Sequence, residues 1–193
     1  MSTLPSERDC FEILKEEGCS PKVIRHVCTV NIVAMIIVSR LKADKDLVNA
    51  GSLLHDIGRS RTHGVKHVSE GVAIAKSRDF PEQLVRVISR HIAAGLTQDE
   101  ANALGLPDGD YMPETIEEKI VCHADNLVSD DRVISLREAL EDFYSKGYIS
   151  TAMRMNAMHQ ELSILCGEDI DIILAHARIP EKVTKKCAVY SVL

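Results

Sequence analysis

Apolar residues recur at helical spacing along most of the chain, and this pattern predicts its elements. The longest apolar face runs from Val23 to Leu41 in alternating steps of four and three residues. Pro21 is placed to begin this helix, because proline is favoured in the first helical turn. Residues 32–38 are apolar on every side, which is typical of a helix in the protein interior. The pattern therefore predicts a central, buried helix.

Shorter helical segments follow one another along the rest of the chain. They are predicted at about 6–18, 45–57, 66–77, 81–94, 97–105, 115–129, 132–146, 150–166 and 169–177. Residues 105–115 contain two prolines and two glycines and are predicted to form a loop. The tail beyond Pro180 is expected to be irregular, and no alternating pattern predicts a strand. The predicted fold class is all-α, with five or six helices in the core.

Composition and charge narrow the classes of function. The 193 residues are 45% hydrophobic, which is enough apolar material for one compact domain. The formal net charge of −6 argues against extended nucleic-acid binding but allows a small phosphorylated substrate beside a local basic patch. The N-terminus is too polar for a signal peptide, and the most apolar run is shorter than the roughly twenty residues of a bilayer span. We expect a cytoplasmic protein without membrane contact, and the oligomeric state stays open.

One short stretch concentrates polar chemistry at the end of an apolar helix. GSLLHDIGRSRTHGVKHVSEG, residues 51–71, places His55 and Asp56 side by side. Elsewhere His26, His91 and Asp125 lie on the apolar faces of their predicted helices. An unpaired carboxylate buried in this way would cost several kcal/mol. Histidine and aspartate side chains that converge from separate helices are typical of a metal site.

The order of these residues resembles the HD superfamily of metal-dependent phosphohydrolases. The resemblance rests on His26, then the HDIG tetrad at 55–58, then Asp125 within KIVCHADNL. It covers about residues 20–130. Within the superfamily, the chain is similar to compact archaeal HDIG proteins. It implies one HD-type domain over residues 1–193, in which the helices of 131–180 pack on the HD core.

The resemblance also implies a set of metal ligands. His26, His55 and Asp125 are expected to hold one ion, and His67 and His91 a second, with Asp56 bridging the two. A site with a single ion is the superfamily's other common form. Imidazoles and carboxylates at such a site suit Fe or Mn, with Zn, Co and Ni as alternatives.

The implied activity is hydrolysis of a phosphomonoester or phosphodiester by a metal-bound hydroxide. The expected substrate is a nucleotide, a cyclic phosphate or a similar small molecule. Asp56 is predicted to be catalytic together with Arg59, which directly follows HDIG and is expected to meet the phosphate. Position alone makes Arg61, Lys66 and Arg90 further candidates for phosphate contact. His63 is assigned to the pocket or to solvent rather than to a metal, and the loop at 108–113 is assigned to the pocket rim.

Two other functions are compatible with the same residues. A di-iron oxygenase of the HD fold, similar to inositol oxygenase, would use the same six ligands, and a nucleotide-sensing module would bind without catalysis. The basic residues beside the site favour hydrolysis over oxygenation. No expected ligand is missing, so the sensing module ranks last. Strict dependence on iron and O₂ would distinguish the oxygenase from the hydrolase.

Overall fold

The protein is helical along the part of the chain that its computed structural model describes, residues 3–177 and 179. The helices there are α1 (Glu7–Glu16), α2 (Pro21–Val38), α3 (Lys45–Leu54), α4 (His67–Ser77), α5 (Glu82–Arg90), α6 (Gln98–Ala103), α7 (Ile116–Asn126), α8 (Leu136–Ser145), α9 (Ile149–Cys166) and α10 (Ile170–His176). A 3₁₀ turn (Ile57–Ser60) follows α3. The all-α prediction is confirmed, whereas the predicted irregular tail beyond Pro180 lies outside the described residues.

Helix α2 is the centre of the bundle. Ser20 caps it by accepting a hydrogen bond from the backbone N–H of Val23 at 3.4 Å, and Pro21 opens its first turn. It packs against α3, α7 and α10. By length and composition alone α2 could cross a membrane, but most of its residues are buried against these neighbouring helices. Its apolar surface is therefore explained by the core that the sequence predicted.

A small hairpin between α7 and α8 was not predicted from the sequence. Strands β1 (Val128–Ser129) and β2 (Arg132–Val133) pair antiparallel, where the apolar pattern predicted two helices with a break of only two residues. Two residues per strand are too few to produce an alternating pattern. Asp130, in the turn, has a left-handed backbone with φ of 55°. The hairpin returns the chain to α2, where its turn meets His26.

Two helices end earlier than their apolar patterns predict. Helix α3 stops at Leu54, so His55 is its C-cap and Asp56 leaves the helix with φ of −98° and ψ of 15°. Helix α5 stops at Arg90, and His91 is its C-cap. Helices α3, α5 and α7 contact one another. Their C-terminal ends therefore bring polar side chains to one region of the core.

The glycine of the HDIG tetrad allows a close backbone contact. A Cβ atom at Gly58 would lie 1.9 Å from the carbonyl oxygen of His67 and 2.5 Å from the backbone nitrogen of Gly71. Both of these atoms belong to the backbone of α4, so no side-chain rotation could relieve the clash. Gly58 is therefore required for α4 to pack directly against the 3₁₀ turn.

Candidate metal centre

Four histidines point their Nε2 atoms into one buried site. In each ring the Nδ1 atom lies 2.7–2.9 Å from a backbone carbonyl oxygen, of Asp130 for His26, Ser52 for His55, Gly64 for His67 and Ile88 for His91. An Nδ1–H that donates to a carbonyl fixes the tautomer and leaves the Nε2 lone pair free for a metal. The backbone therefore orients all four imidazoles as ligands.

Asp56 lies between the two pairs of histidines. Its Oδ1 atom is 3.1 Å from Nε2 of His67 and 3.5 Å from Nε2 of His91. Its Oδ2 atom is 3.7 Å from Nε2 of His26 and 3.9 Å from Nε2 of His55. The carboxylate thus presents one oxygen to each pair, which is the arrangement that a bridging ligand requires.

Asp125 completes the group on the side of His26 and His55. Its Oδ1 atom lies 2.9 Å from Nε2 of His26 and 3.4 Å from Nε2 of His55. It stands in the last turn of α7, and the next residue, Asn126, donates a hydrogen bond to the carbonyl oxygen of Ala93 at 2.5 Å. The structure therefore brings together all six side chains that the sequence proposed as metal ligands.

Two observations indicate that these residues fit divalent cations. Nε2 of His55 and Oδ1 of Asp56 are buried and have no hydrogen-bond partner in the described part of the chain, which is costly unless another group satisfies them. The Nε2 atoms of His67 and His91 lie 3.0 Å apart while both Nδ1 atoms face carbonyl oxygens. Two lone pairs at this distance repel each other, and a shared cation removes the repulsion. Histidine and aspartate ligands suit divalent transition metals.

The charges in the site favour an ionised Asp56 carboxylate. Burial alone would raise the pKa of Asp56, but the neighbouring His55, His67 and His91 outweigh it and hold that pKa well below its ordinary value. Burial lowers the pKa of His91, which keeps its ring neutral. For His26, burial is outweighed by Asp125, and the pKa rises to about 9. A cation that enters between His26 and Asp125 therefore has to displace a proton.

Arg59 lies beside the site, as the sequence predicted. Its Nε–H donates to Oδ2 of Asp56 at 2.5 Å, and its Nη1–H donates to the carbonyl oxygen of His63 at 3.3 Å. A third of its side chain is exposed. Arg59 and His63 both line a cavity of about 800 Å³ that reaches the ligands His67 and His91. The guanidinium is thus placed between the bridging carboxylate and the cavity.

Arg61 and Lys66 do not reach this cavity, contrary to the sequence-based expectation. The guanidinium of Arg61 pairs with Glu70 at 3.1 Å. Lys66 is the residue that precedes α4. Neither residue lines the cavity. They are close in sequence to the ligands, but the short loop before α4 directs them elsewhere.

Arg90 is also placed away from the cavity, which corrects its assignment to the phosphate. Its side chain is only 7% exposed and its guanidinium binds three carboxylates, those of Asp110, Glu114 and Glu118. Glu118 is itself buried and lies 2.9 Å from Arg90. The next residue, His91, faces the metal centre. Arg90 therefore links α5 to α7 and to the loop that precedes α7.

We expect Glu118→Gln to destabilise the protein in a pH-dependent way. Burial raises the pKa of Glu118, but the hydrogen bonds from the backbone of Glu114 and from Arg90 outweigh it, so the pKa is lowered. A lowered pKa stabilises the fold above the ordinary glutamate value of about 4.3, and this stabilisation is lost as the pH falls through the lowered value. The variant should lose about 2 kcal/mol of unfolding free energy at pH 7.

Urea unfolding at pH 7 and at pH 3.5 measures this effect. The difference between the wild type and Glu118→Gln should shrink at the lower pH. Glu141→Gln is the control, because Glu141 is exposed and pairs with Arg137 on the helix surface. An equal loss at both pH values would mean that the ionisation of Glu118 contributes nothing.

Helix α8 supplies a wall of the cavity that the sequence analysis missed. Its polar contributions are Glu138, Asp142 and Lys146, the residue after its last turn, and Phe143 adds an aromatic ring. These residues follow an ordinary amphipathic pattern, so nothing in the sequence set them apart. The loop at 108–113, which was expected at the rim, instead lines a separate cavity with Arg90.

The chain is similar in sequence to a known protein family and to several archaeal proteins. Residues 23–130 match the family model described as "HD domain". The chain is 47% identical over 170 residues to a protein of Picrophilus torridus named tRNA (cytidine(56)-2'-O)-methyltransferase, covering 88% of this chain and 50% of that one. The chain thus spans about half the length of that relative. It is 43% identical over 130 residues to an uncharacterized protein of Methanocaldococcus jannaschii, covering 65% of this chain and 77% of that one.

A solved structure of an HD domain has the same fold as this chain. The HD domain of the phosphodiesterase PgpH of L. monocytogenes matches with a TM-score of 0.55 at 17% identity, over 87% of this chain and 98% of that one. The same domain has been solved in complex with cyclic-di-AMP. At this identity the likeness concerns the fold alone. The family match covers more than half of the chain and includes all six proposed metal ligands, from His26 to Asp125. The chain belongs to the HD domain family.

Proposed function

We propose that the protein is a metal-dependent phosphohydrolase that acts on a phosphate ester of a nucleotide or a similar small molecule. The observation that carries the proposal is Asp56, which presents one oxygen to each of two histidine pairs beside an open cavity. Membership in the HD domain family supports it. So does the likeness in fold to the HD domain of the phosphodiesterase PgpH, which has been solved with cyclic-di-AMP.

The chain's own residues divide the work of the reaction. Two divalent cations, when bound, would supply an activated water and neutralise charge on the phosphoryl oxygens. The four histidines and Asp125 would hold these cations, and Asp56 would bridge them. Arg59 has five N–H donors, of which two contact Asp56 and His63, and it lines the cavity. Its guanidinium is therefore placed to bind and orient the phosphate.

The proposal is tested by a matrix of metals and substrates. Mn, Fe, Co, Ni and Zn are each combined with p-nitrophenyl phosphate, bis(p-nitrophenyl) phosphate, nucleotides and cyclic phosphates, under anaerobic conditions. We expect metal-dependent release of product from at least one class of phosphate ester. No turnover with any metal would contradict the proposal, and turnover that requires both iron and O₂ would indicate an oxygenase instead.

Replacing Arg59 tests its role at the phosphate. We expect Arg59→Met to lower kcat/KM about 10²-fold, because a charge-assisted contact to the reacting phosphate is worth about 2–3 kcal/mol. Steady-state kinetics on the best substrate of the matrix measures it. Arg61→Met is the matched control, since Arg61 pairs with Glu70 on the surface, and should change kcat/KM less than twofold. Equal effects of the two variants would remove Arg59 from the site.

A further inference from the structure

The metal centre is bordered by two cavities rather than one. The larger, of about 800 Å³, extends from the ligands to α8. The smaller, of about 520 Å³, extends from Asp56 to the start of α2 and the hairpin turn. The two cavities share three residues as walls, His26, Arg59 and His63. Arg59 and His63 thus form a partition beside the place where the phosphate is expected.

The two cavities are lined by different side chains. The larger cavity contains the apolar side chains of Ile92, Ile134 and Phe143, with charged residues of α8 at its far side. An aromatic ring and aliphatic groups in a cavity of this size suit a planar base, and the carboxylates accept hydrogen bonds from base or sugar. The smaller cavity is lined by Ser20, Lys22, Val23 and Asp130. It offers both polar and apolar contacts to a second ester group.

We propose that the substrate is a phosphodiester whose two ester groups occupy the two cavities. This rests on the proposed function, and it chooses between the two kinds of ester that the function leaves open. Asp56 lines the smaller cavity while His67, His91 and Asp125 line the larger, so a phosphorus at the ions has space on both sides. A monoester carries one ester group and fills one cavity only.

The reaction is then an ordinary hydrolysis. The oxygen of water forms a bond to phosphorus, and the bond between phosphorus and one ester oxygen breaks with its electron pair on that oxygen. A proton from the water ends on the departing oxygen, which gives an alcohol and a phosphomonoester. No oxidant, reductant or second substrate is needed.

Lys22 offers a way to fill the smaller cavity without touching the ligands. Its side chain is 71% exposed and pairs with Asp130 at 2.8 Å. Lys22→Trp places a bulky ring in the cavity mouth, and Lys22→Met is the matched control that removes the same ion pair without the bulk. Because the position is exposed, both variants are expected to fold, and circular dichroism checks this.

The experiment compares the 5'-(p-nitrophenyl phosphate) ester of thymidine, a diester, with p-nitrophenyl phosphate, a monoester. We expect the wild type to favour the diester in kcat/KM by about tenfold or more, and Lys22→Trp to lower the diester-to-monoester ratio about tenfold relative to Lys22→Met. A wild-type preference for the monoester, or an equal ratio in the two variants, would overturn the two-cavity proposal. Hydrolysis of neither substrate, when no other phosphate ester of the matrix is turned over with any metal, would instead contradict the proposed function.

Discussion

Replacing Asp56 with asparagine is expected to lower turnover by about three orders of magnitude or more and to weaken metal binding while the fold persists. The change removes the charge that both histidine pairs face, at distances of 3.1–3.9 Å from their Nε2 atoms, but it keeps the shape of the side chain. Loss of a bridging ligand should cost several kcal/mol of transition-state stabilisation, which corresponds to about 10³-fold or more in kcat/KM. Elemental analysis should show fewer than two ions per chain.

The fold should survive this change because the core does not depend on the carboxylate. Helix α2 and its neighbours bury a large apolar cluster around the site, so the helical circular dichroism of Asp56→Asn should match that of the wild type. Asp99→Asn, on the exposed surface of α6, is the control and should keep wild-type metal content and rate. If Asp56→Asn retained two ions and normal turnover, the bridging role would be wrong.

Gly58→Ala adds a single methyl group to the HDIG tetrad, and we expect this change to destabilise the protein strongly. The new Cβ would meet the backbone of His67 and Gly71 at 1.9 and 2.5 Å, so the 3₁₀ turn and α4 would have to move apart. Overpacking of this kind costs about 3 kcal/mol or more. The movement would also displace Asp56 and His67, which lie on the two elements forced apart. Thermal unfolding and metal content measure the two effects.

Gly64→Ala is the matched control for this prediction. Gly64 lies in the same loop, has no positive φ, and a Cβ there would have nothing within 4 Å. Its carbonyl oxygen, which accepts from Nδ1 of His67, is kept. We expect its unfolding temperature to stay within a few degrees of the wild type. Similar losses in both variants would show that the loop, rather than the backbone contact at Gly58, determines stability.

The sequence predicted the helices better than their ends. The apolar face of α2 required a central helix, and that helix is where the structure places it. The ends of α3 and α5 were placed three or four residues too late, because apolar residues continue past Leu54 and Arg90. After α5 the chain is held by tertiary contacts: Ala93, in the left-handed region, accepts hydrogen bonds at its carbonyl oxygen from Cys122 and Asn126 of α7. Such contacts join residues about thirty positions apart, and no local pattern records them.

The phosphate-binding candidates also show that tertiary contacts decide what the local sequence pattern cannot. Arg59 was proposed because the resemblance implies a basic residue directly after HDIG, and Arg61, Lys66 and Arg90 were proposed from position alone. Of the four, only Arg59 lines the cavity. The direction of a long charged side chain depends on which carboxylates lie within its reach. For Arg90 these are Asp110, Glu114 and Glu118, which are 20–28 positions away. Lys146 was missed for the converse reason, since it comes to the cavity only when α8 folds back over the site.

By itself the sequence determined the all-α class and the buried α2, and it placed His26, His91 and Asp125 on apolar helix faces. These follow from helical periodicity and from the cost of burying charge, both of which are local properties of the chain. The full set of six proposed ligands came from the resemblance of the HDIG pattern to the HD superfamily. The tertiary structure alone decided where α3 and α5 end, which guanidinium faces the cavity and that two cavities border the site. Those outcomes depend on groups that are distant in sequence and become neighbours only when the helices pack.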